Sequence, residues 1–285
     1  MKIALLAPIE ETVPPKKYGG TETVVYALAE ELYRLGHDVT VFASGDSKLS
    51  CRVIPLAPKA IGSGTSKRMR EALTYEALSK LICFIKDEKF DILHNHVGFQ
   101  PLLFRDTLDV PLLSTIHFTL DKVSWPTEHA MYMRYKDLPF VSISDNQRHN
   151  APRLSYAKTI YHGLNLSRFA FSDKTKGYLT FFGRLSPFKG PLEAIKVAQA
   201  TGRRLVMAGK VNSFAAERLF FEKKIKPHID GKNIIFLGEI DHAAKVDLLG
   251  HADALLSPIS WDEPFGLTVI EAMACGTPVL GFARG

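Results

Sequence analysis

The sequence predicts an α/β protein with two doubly wound parallel-sheet domains. Short apolar runs of strand length alternate with segments whose apolar residues recur at helical spacing. The composition, 46% hydrophobic and 23% charged, is typical of a globular protein and excludes a disordered or collagen-like chain. The length of 285 residues accommodates about two domains. A polar stretch over 165–176 separates two series of elements.

The first domain is predicted to span residues 1–165. An apolar run over 2–7 is typical of a buried strand, and a helix follows over 21–35. Gly36 ends that helix, because the residue after a helix often adopts the left-handed conformation. The remaining predicted elements are a helix over 66–86 and strands over 38–43, 51–55, 91–94, 111–116, 140–143 and 158–161.

The second domain is predicted to span residues 166–285. Its predicted strands cover 177–182, 203–208, 233–237, 252–257 and 278–280, and its predicted helices cover 187–200, 214–225, 243–249 and 267–274. Such alternation indicates a parallel sheet with helices on both faces. The chain ends directly after the apolar run 278–282, so we expect this domain to be incomplete and truncated at its C-terminus.

The charge and the cysteine content of the chain indicate which binding partners and which cellular compartment to expect. The net charge is +6, and the stretch 203–232 holds eight basic and three acidic residues. This stretch is either a solvated helix face or a surface attracted to a polyanion or an anionic membrane. It lacks an interleaved aromatic stacking platform, so nucleic acid is not an expected partner. Three scattered cysteines fit a reducing compartment, and no apolar run is long enough to cross a membrane.

Ligands of open parallel sheets bind beyond the carboxyl ends of the strands, so the turns after strands matter most. With two such domains face to face, these ends are expected to line one cleft. The first turn carries Gly19 and Gly20 directly before a helix, where backbone N–H groups can approach an anion. An ordinary turn is the alternative, and neither a Walker loop nor a dinucleotide fingerprint is present.

Two further turns carry charged side chains. Arg184 and Lys189 lie between a strand and a helix and suit a diphosphate, although two solvated surface charges explain them equally well. Glu263 follows a strand, and Glu271 lies on the next helix with seven residues between them. Exposed N–H groups near Gly266, at the start of that helix, can bind an anion. The alternatives are an exposed helix carboxylate for Glu271 and, for Glu263, a negative charge that favours the N-terminal end of the helix dipole.

The segment 261–278 resembles the family 4 (group 1) retaining glycosyltransferases, whose GT-B architecture has two facing Rossmann-like domains. Glu263 and Glu271 match the family's two glutamates, and the EPFG and EAMACGTPV stretches match as well. Further matches follow in the family's order: the glycine-rich loop 19–22, the strand that ends at His117, the segments 142–148 and 161–165, and the Gly-Arg-Leu…Lys-Gly turn over 183–190.

The resemblance implies transfer of a sugar from a nucleotide-diphosphate sugar to an acceptor hydroxyl with retained configuration, a hexosyltransferase-type reaction of carbohydrate biosynthesis. Glu263 would orient the donor sugar, and His117 would contact it near the reacting carbon; these two are the expected catalytic residues. Glu271 would bind the ribose hydroxyls. The other expected donor-binding residues are Gly19, Gly20, Arg184, Lys189, Phe265, Gly266, Leu267 and Thr268.

The resemblance implies no cofactor and no metal, since fixed positive charges would stabilise the departing diphosphate and no Asp-x-Asp motif is present. His94 and His96 are open to a metal, cleft-lining or structural role. The expected partners are the nucleotide sugar and a sugar, lipid or small-molecule acceptor. We expect a cytoplasmic protein, with peripheral contact to the inner face of the membrane left open. The alternative function is a truncated or catalytically idle nucleotide-sugar-binding protein.

Overall fold

The computed structural model describes residues 1–62, 64–211 and 214–284. The chain divides into two compact units. Unit 1 comprises Met1–Pro15 and Gly19–Gly163, and unit 2 comprises Lys16–Tyr18 and Leu164–Gly285. Each unit is built on one parallel sheet. The fold class predicted from the sequence, two parallel-sheet α/β domains, is therefore confirmed.

Unit 1 has a sheet in the order β3-β2-β1-β4-β5-β6-β7. Within the described residues its strands are β1 (Lys2–Leu6), β2 (Asp38–Ser44), β3 (Arg52–Ala57), β4 (Ile92–Asn95), β5 (Leu112–Thr115), β6 (Phe140–Ser142) and β7 (Tyr156–Thr159). Its helices are α1 (Gly20–Arg34), α2 (Lys67–Asp87), α3 (Pro126–Arg134) and α4 (Asp145–Arg148), with a 3-10 segment over Gln100–Thr107. The order doubles back at β1, which leaves a switch point between β1 and β4.

Strand β1 is buried on both faces of the sheet. Ala4 and Leu6 pack in the apolar cluster that contains residues of α2, whereas Ile3 and Leu5 pack in the cluster that contains residues of α1. Successive side chains of a strand point to opposite faces, so one continuous apolar run contributes to two cores. Helices therefore cover this sheet on both sides.

Unit 2 has a sheet in the order β10-β9-β8-β11-β12. Its strands within the described residues are β8 (Leu179–Phe182), β9 (Leu205–Ala208), β10 (Ile234–Phe236), β11 (Ala254–Ser257) and β12 (Val279–Gly281). Its helices are α5 (Pro191–Thr201), α6 (Ala215–Phe220), α7 (His242–Gly250) and α8 (Leu267–Ala274). Met207 packs with α5 on one face, and Val206 and Ala208 pack with Leu248 of α7 on the other.

The structure differs from the prediction at several helices. Helix α5 begins at Pro191 instead of residue 187, because Gly190 has φ 75° and interrupts the helix after a 3-10 turn. The predicted helix over 214–225 is α6, a π-turn over Phe221–Ile225 and a 3-10 turn over Lys226–His228. Helix α3 was not predicted, because it buries only Tyr132 and so lacks an apolar stripe.

No helix within the described residues is long and apolar enough to cross a membrane.

Candidate functional site

The best-defined polar cluster of unit 2 lies beyond the carboxyl ends of β8 and β11, which are adjacent parallel strands. The turn after β8 carries Lys189, and the loop after β11 carries Glu263. Lys189 Nζ donates a hydrogen bond to Glu263 Oε2. Both side chains are about one-fifth exposed, at 22% and 19%. The structure thus brings together two residues that the sequence assigned to separate motifs.

Trp261 completes this cluster and was not predicted as a functional residue. Its indole N–H donates to Glu263 Oε2 over 2.8 Å, and its ring centroid lies 5.2 Å from the Lys189 ammonium. The ring also packs against Phe188 at 5.1 Å between centroids. The indole therefore fixes one carboxylate oxygen and covers the cation that shares it. In the sequence, Trp261 is only a tryptophan two residues before a glutamate, and this spacing does not predict a contact without the fold.

The turn that carries Arg184 is anchored to β9. Gly183 N donates to Ala208 O over 3.1 Å, and Leu185 N donates to Lys210 O over 2.9 Å. A Cβ at Gly209 would lie 1.7 Å from Gly183 O, so the two backbones meet where no side chain fits. Backbone hydrogen bonds therefore hold the turn on both sides of Arg184.

The Arg184 guanidinium offers an unused donor. Its Nε is buried and has no hydrogen-bond partner among the described residues. The guanidinium carbon lies 5.9 Å from the ring centroid of Tyr18, which belongs to the same unit. Buried N–H groups are ordinarily paired, so this donor is a candidate for a ligand oxygen.

Helix α8 begins directly after the Glu263 loop. Gly266 is its N-cap with φ 86°, a left-handed conformation that suits glycine. The first N–H groups of a helix have no intrahelical acceptors, so those of Leu267 and Thr268 give this end a partial positive charge. Phe265 precedes the cap and is half-buried. This helix end directly follows the loop that carries Glu263, the partner of Lys189.

Glu271 lies in the second turn of α8 and is buried. Its Oε1 accepts a hydrogen bond of 2.5 Å from Nζ of Lys245, a residue of α7. The sequence analysis did not single out Lys245. The two residues are 26 positions apart, and only the packing of α7 beside α8 brings them together.

Four histidine rings form a row in unit 1. The ring centroids of His94 and His96 are 4.1 Å apart, those of His96 and His117 are 5.1 Å apart, and those of His117 and His162 are 5.4 Å apart. His96 Nδ1 and His117 Nε2 are hydrogen-bonded at 2.8 Å. His94 Nε2 is hydrogen-bonded to Thr115 Oγ1 at 2.7 Å. His117, the predicted catalytic histidine, is thus held by a second histidine.

Burial keeps these rings neutral. It lowers the pKa of His94 to about 4 and the pKa of His162 to about 4. The pKa values of His96 and His117 fall well below 6.5, first through burial and then through repulsion from the neighbouring rings. In the neutral state one ring of the His96–His117 pair donates and the other accepts, so a single proton joins them.

The glycine turn of unit 1 forms the start of α1. Gly19 is the N-cap, and its carbonyl accepts hydrogen bonds from the N–H and the hydroxyl of Thr23 at 3.1 and 2.7 Å. A Cβ at Gly19 would lie 2.6 Å from Pro15 Cβ, so only glycine fits. Gly20 is the first helical residue, and its position suits the expected anion contact.

Comparison with known proteins places this geometry in a family. The sequence model of "Glycosyltransferase Family 4" matches residues 18–167, and that of "Glycosyl transferases group 1" matches residues 165–285. The chain belongs to Glycosyltransferase Family 4. The enzyme class predicted from the sequence, a hexosyltransferase-type glycosyltransferase, is thereby confirmed.

Alignments with individual relatives of this glycosyltransferase cover nearly the whole chain. The phosphatidyl-myo-inositol mannosyltransferase of Mycobacterium leprae is 26% identical over 98% of this chain and 78% of its own length. The solved structure of AviGT4, a glycosyltransferase involved in avilamycin A biosynthesis, is 26% identical with a TM-score of 0.71 and covers 100% of this chain and 79% of that one. Sucrose-phosphate synthase from Thermosynechococcus elongatus shares the fold, at 21% identity and a TM-score of 0.79 over 100% and 82% of the two chains.

Metal binding was one of the interpretations left open for His94 and His96 of this glycosyltransferase. Across residues 1–62, 64–211 and 214–284, no group of three or more His, Cys, Asp or Glu side chains could hold a metal ion. The observed partners of the two rings are Thr115 and His117. A structural and positioning role fits these contacts.

Proposed function

We propose that this glycosyltransferase moves a hexosyl group from a nucleotide-diphosphate sugar to an acceptor hydroxyl with retention of the anomeric configuration. The observation that carries the proposal is the Lys189–Glu263–Trp261 cluster at the carboxyl edge of the unit 2 sheet. It combines a cation for a phosphate with a fixed carboxylate for sugar hydroxyls. Arg184, whose Nε is buried and unpaired among the described residues, adds a second cation.

The bond that breaks joins the anomeric carbon to the β-phosphate oxygen, and the bond that forms joins the same carbon to the acceptor oxygen. Arg184, Lys189 and the N–H groups of Leu267 and Thr268 would stabilise the negative charge on the departing diphosphate. That diphosphate would take the acceptor's proton on the same face of the sugar, which accounts for retention. These fixed cations would supply the positive charge that a divalent metal ion supplies in other phosphate-binding sites, so we propose that the enzyme needs no metal cofactor.

Glu263 would orient the donor sugar through its hydroxyls, and Glu271 would accept hydrogen bonds from the ribose. His117, held neutral by burial, would contact the sugar near the reacting carbon as a hydrogen-bonding group. Gly19, Gly20, Phe265 and Gly266 would shape the donor site by letting backbone approach the diphosphate.

The acceptor would be a hydroxyl of a sugar, a lipid or a small molecule. A relative named for mannosylation of phosphatidyl-myo-inositol supports a lipid among these classes. We propose that the enzyme works in the cytoplasm, with peripheral contact to the inner face of the membrane. The free cysteines Cys51, Cys83 and Cys275 fit this reducing compartment.

The test is a donor screen with UDP-, GDP- and ADP-linked glucose and mannose, with candidate acceptors that include phosphatidylinositol in detergent micelles. Mass spectrometry would identify the product, and proton NMR would report its anomeric configuration. Retention supports the proposal, and inversion contradicts it. Donor binding without any transfer or hydrolysis would instead support the idle nucleotide-sugar-binding protein. The double variant Arg184→Ala/Lys189→Ala should abolish turnover, and full activity in it would refute the diphosphate assignment.

A further inference from the structure

An ion pair between Lys245 and Glu271 lies in the interior of unit 2. The exposed fractions of the two side chains are 14% and 6%, and Lys245 Nζ donates to Glu271 Oε1 over 2.5 Å. The ammonium also lies 5.8 Å from the ring centroid of Phe169 and 5.7 Å from that of Phe182. The cation is therefore enclosed by two aromatic rings and one carboxylate.

Such a pair is poorly explained by stability alone. Taking two charges out of water costs several kcal/mol for each ion, and replacing a buried pair by apolar residues is often neutral or stabilising. The aromatic surroundings of Lys245 would accept a methionine, whose length and apolar character suit them. A lysine at this position therefore points to a requirement for the charge itself.

Lys245 lies near the capped N-terminus of α7. Asp241 is the N-cap of α7, and its Oδ1 accepts from Ala244 N over 2.9 Å. Lys245 N then donates to Asp241 O over 2.9 Å. The lysine backbone is thus fixed one turn into α7, and its side chain reaches across to α8.

We infer that Lys245 is a positioning residue that fixes the Glu271 carboxylate for the ribose hydroxyls of the donor. With Oε1 bound to the ammonium, the carboxylate cannot rotate freely, and Oε2 is presented to the ligand. This inference rests on the proposed function, in which Glu271 receives the ribose. Lys245 does not touch the nucleotide in this scheme and acts only through Glu271.

The inference predicts an effect on ribose discrimination that a purely structural role would not produce. The probes are UDP, GDP and ADP and their 2′,3′-dideoxy counterparts, with Kd values measured by isothermal titration calorimetry. For the preferred base, the wild-type protein should bind the ribonucleotide on the order of 10- to 100-fold more tightly, because hydrogen bonds to charged groups contribute about 1.5–3 kcal/mol. In Lys245→Met this ratio should fall about ten-fold, with the dideoxynucleotide Kd nearly unchanged.

Three further proteins control the experiment. Glu271→Gln should lose the discrimination as Lys245→Met does. The double variant Lys245→Met/Glu271→Gln leaves no buried unpaired charge, so it should fold even if Lys245→Met does not. Its ratio of ribonucleotide to dideoxynucleotide affinity should match that of Glu271→Gln. Lys176→Met removes the exposed lysine that pairs with Asp247 of α7, and it should keep the wild-type ratio.

The outcomes separate the two proposals. If Glu271→Gln loses the preference for the ribonucleotide while Lys245→Met retains it, Lys245 does not position the carboxylate. In that case the inference fails, while the ribose assignment of the proposed function stands. If Glu271→Gln keeps the wild-type ratio, the ribose assignment of the proposed function is wrong and the inference fails with it. Equal weakening of both nucleotides in Lys245→Met would mean a structural role and would also overturn the inference.

Discussion

Lys189 and Glu263 form an ion pair across 74 positions of sequence, and the same carboxylate oxygen also accepts the Trp261 indole N–H. The cation that we propose for the diphosphate is therefore paired with the carboxylate that we propose for the sugar. A donor that brings its own diphosphate would compete with Glu263 for the lysine. Under the proposed roles, binding of the diphosphate and orientation of the sugar would be coupled through this ion pair.

Removing the lysine should impair the chemical step. In Lys189→Met we expect kcat/KM for the donor to fall on the order of 100-fold, because one group that stabilises the developing negative charge is lost. A steady-state transfer assay would measure this effect. The matched control is Lys196→Met, which removes an exposed lysine of α5 paired with Glu193. An equal loss in both variants would contradict the role of Lys189.

Replacing the indole tests whether its N–H or its ring matters. Trp261→Phe keeps an aromatic ring over Lys189 but removes the hydrogen bond to Glu263. We expect kcat to fall about ten-fold, in line with the loss of a hydrogen bond to a charged group. Affinity for the nucleoside diphosphate alone should remain within about two-fold of the wild-type value, because the variant keeps the Lys189 ammonium and an aromatic ring beside it.

The control for this variant is Trp125→Phe, at a partly exposed position of unit 1. It should leave kcat and nucleotide affinity unchanged. Weakened binding of the nucleoside diphosphate in Trp261→Phe would show that the indole serves the phosphate site instead of the sugar carboxylate.

Metal removal should leave transfer intact. The expected charge stabilisation comes from Arg184, Lys189 and the N-terminus of α8, which a chelator does not affect. The rate of transfer would be measured with and without EDTA on extensively dialysed enzyme. A loss of activity that Mg²⁺ or Mn²⁺ restores would contradict this prediction.

The histidine row should make the protein less stable in acid. The pKa values of His94 and His162 are lowered to about 4 in the folded state, from an ordinary 6.5. Between these values the unfolded chain binds protons that the folded chain does not, so the free energy of unfolding falls as pH decreases from 6.5 to 4. Each histidine contributes a slope of up to about 1.4 kcal/mol per pH unit.

This prediction is tested by urea unfolding at several pH values. The variant His162→Gln removes one titrating ring, so its free energy of unfolding should depend less steeply on pH in this range. The control is the range above pH 7, where the slopes of the two proteins should coincide because His162 is neutral in both the folded and the unfolded chain. Parallel slopes in wild type and His162→Gln would mean that the ring is accessible to protons in the folded state.

Much of the fold could be predicted because local signals agreed with it. Helix α8 was predicted at its observed bounds, and Gly266 and Gly276, both with positive φ, lie on either side of it. The alternation of strands and helices likewise required a parallel sheet in each unit. Helix α3 was missed because a surface helix with one buried side chain carries no periodic signal.

The sequence indicates candidate site positions, but it does not indicate which side chains pair with them. The spacing of Glu263 and Glu271 can be read directly from the sequence. Their contacts with Lys189, Trp261 and Lys245 form only because particular strands and helices become neighbours in the fold. The row of histidines is a similar case, because it joins strand ends that are adjacent only after β4 pairs with β5. Tertiary packing decides such contacts.

The contact between Gly183 and Gly209 has a consequence for genetics. Gly209 follows β9 and lies outside every donor-binding motif, yet any side chain there would collide with the carbonyl that precedes Arg184. Under the proposed function, a substitution at Gly209 would reduce use of the donor by displacing the turn that carries Arg184. Screens for loss of function should find such alleles beside those in the donor turn.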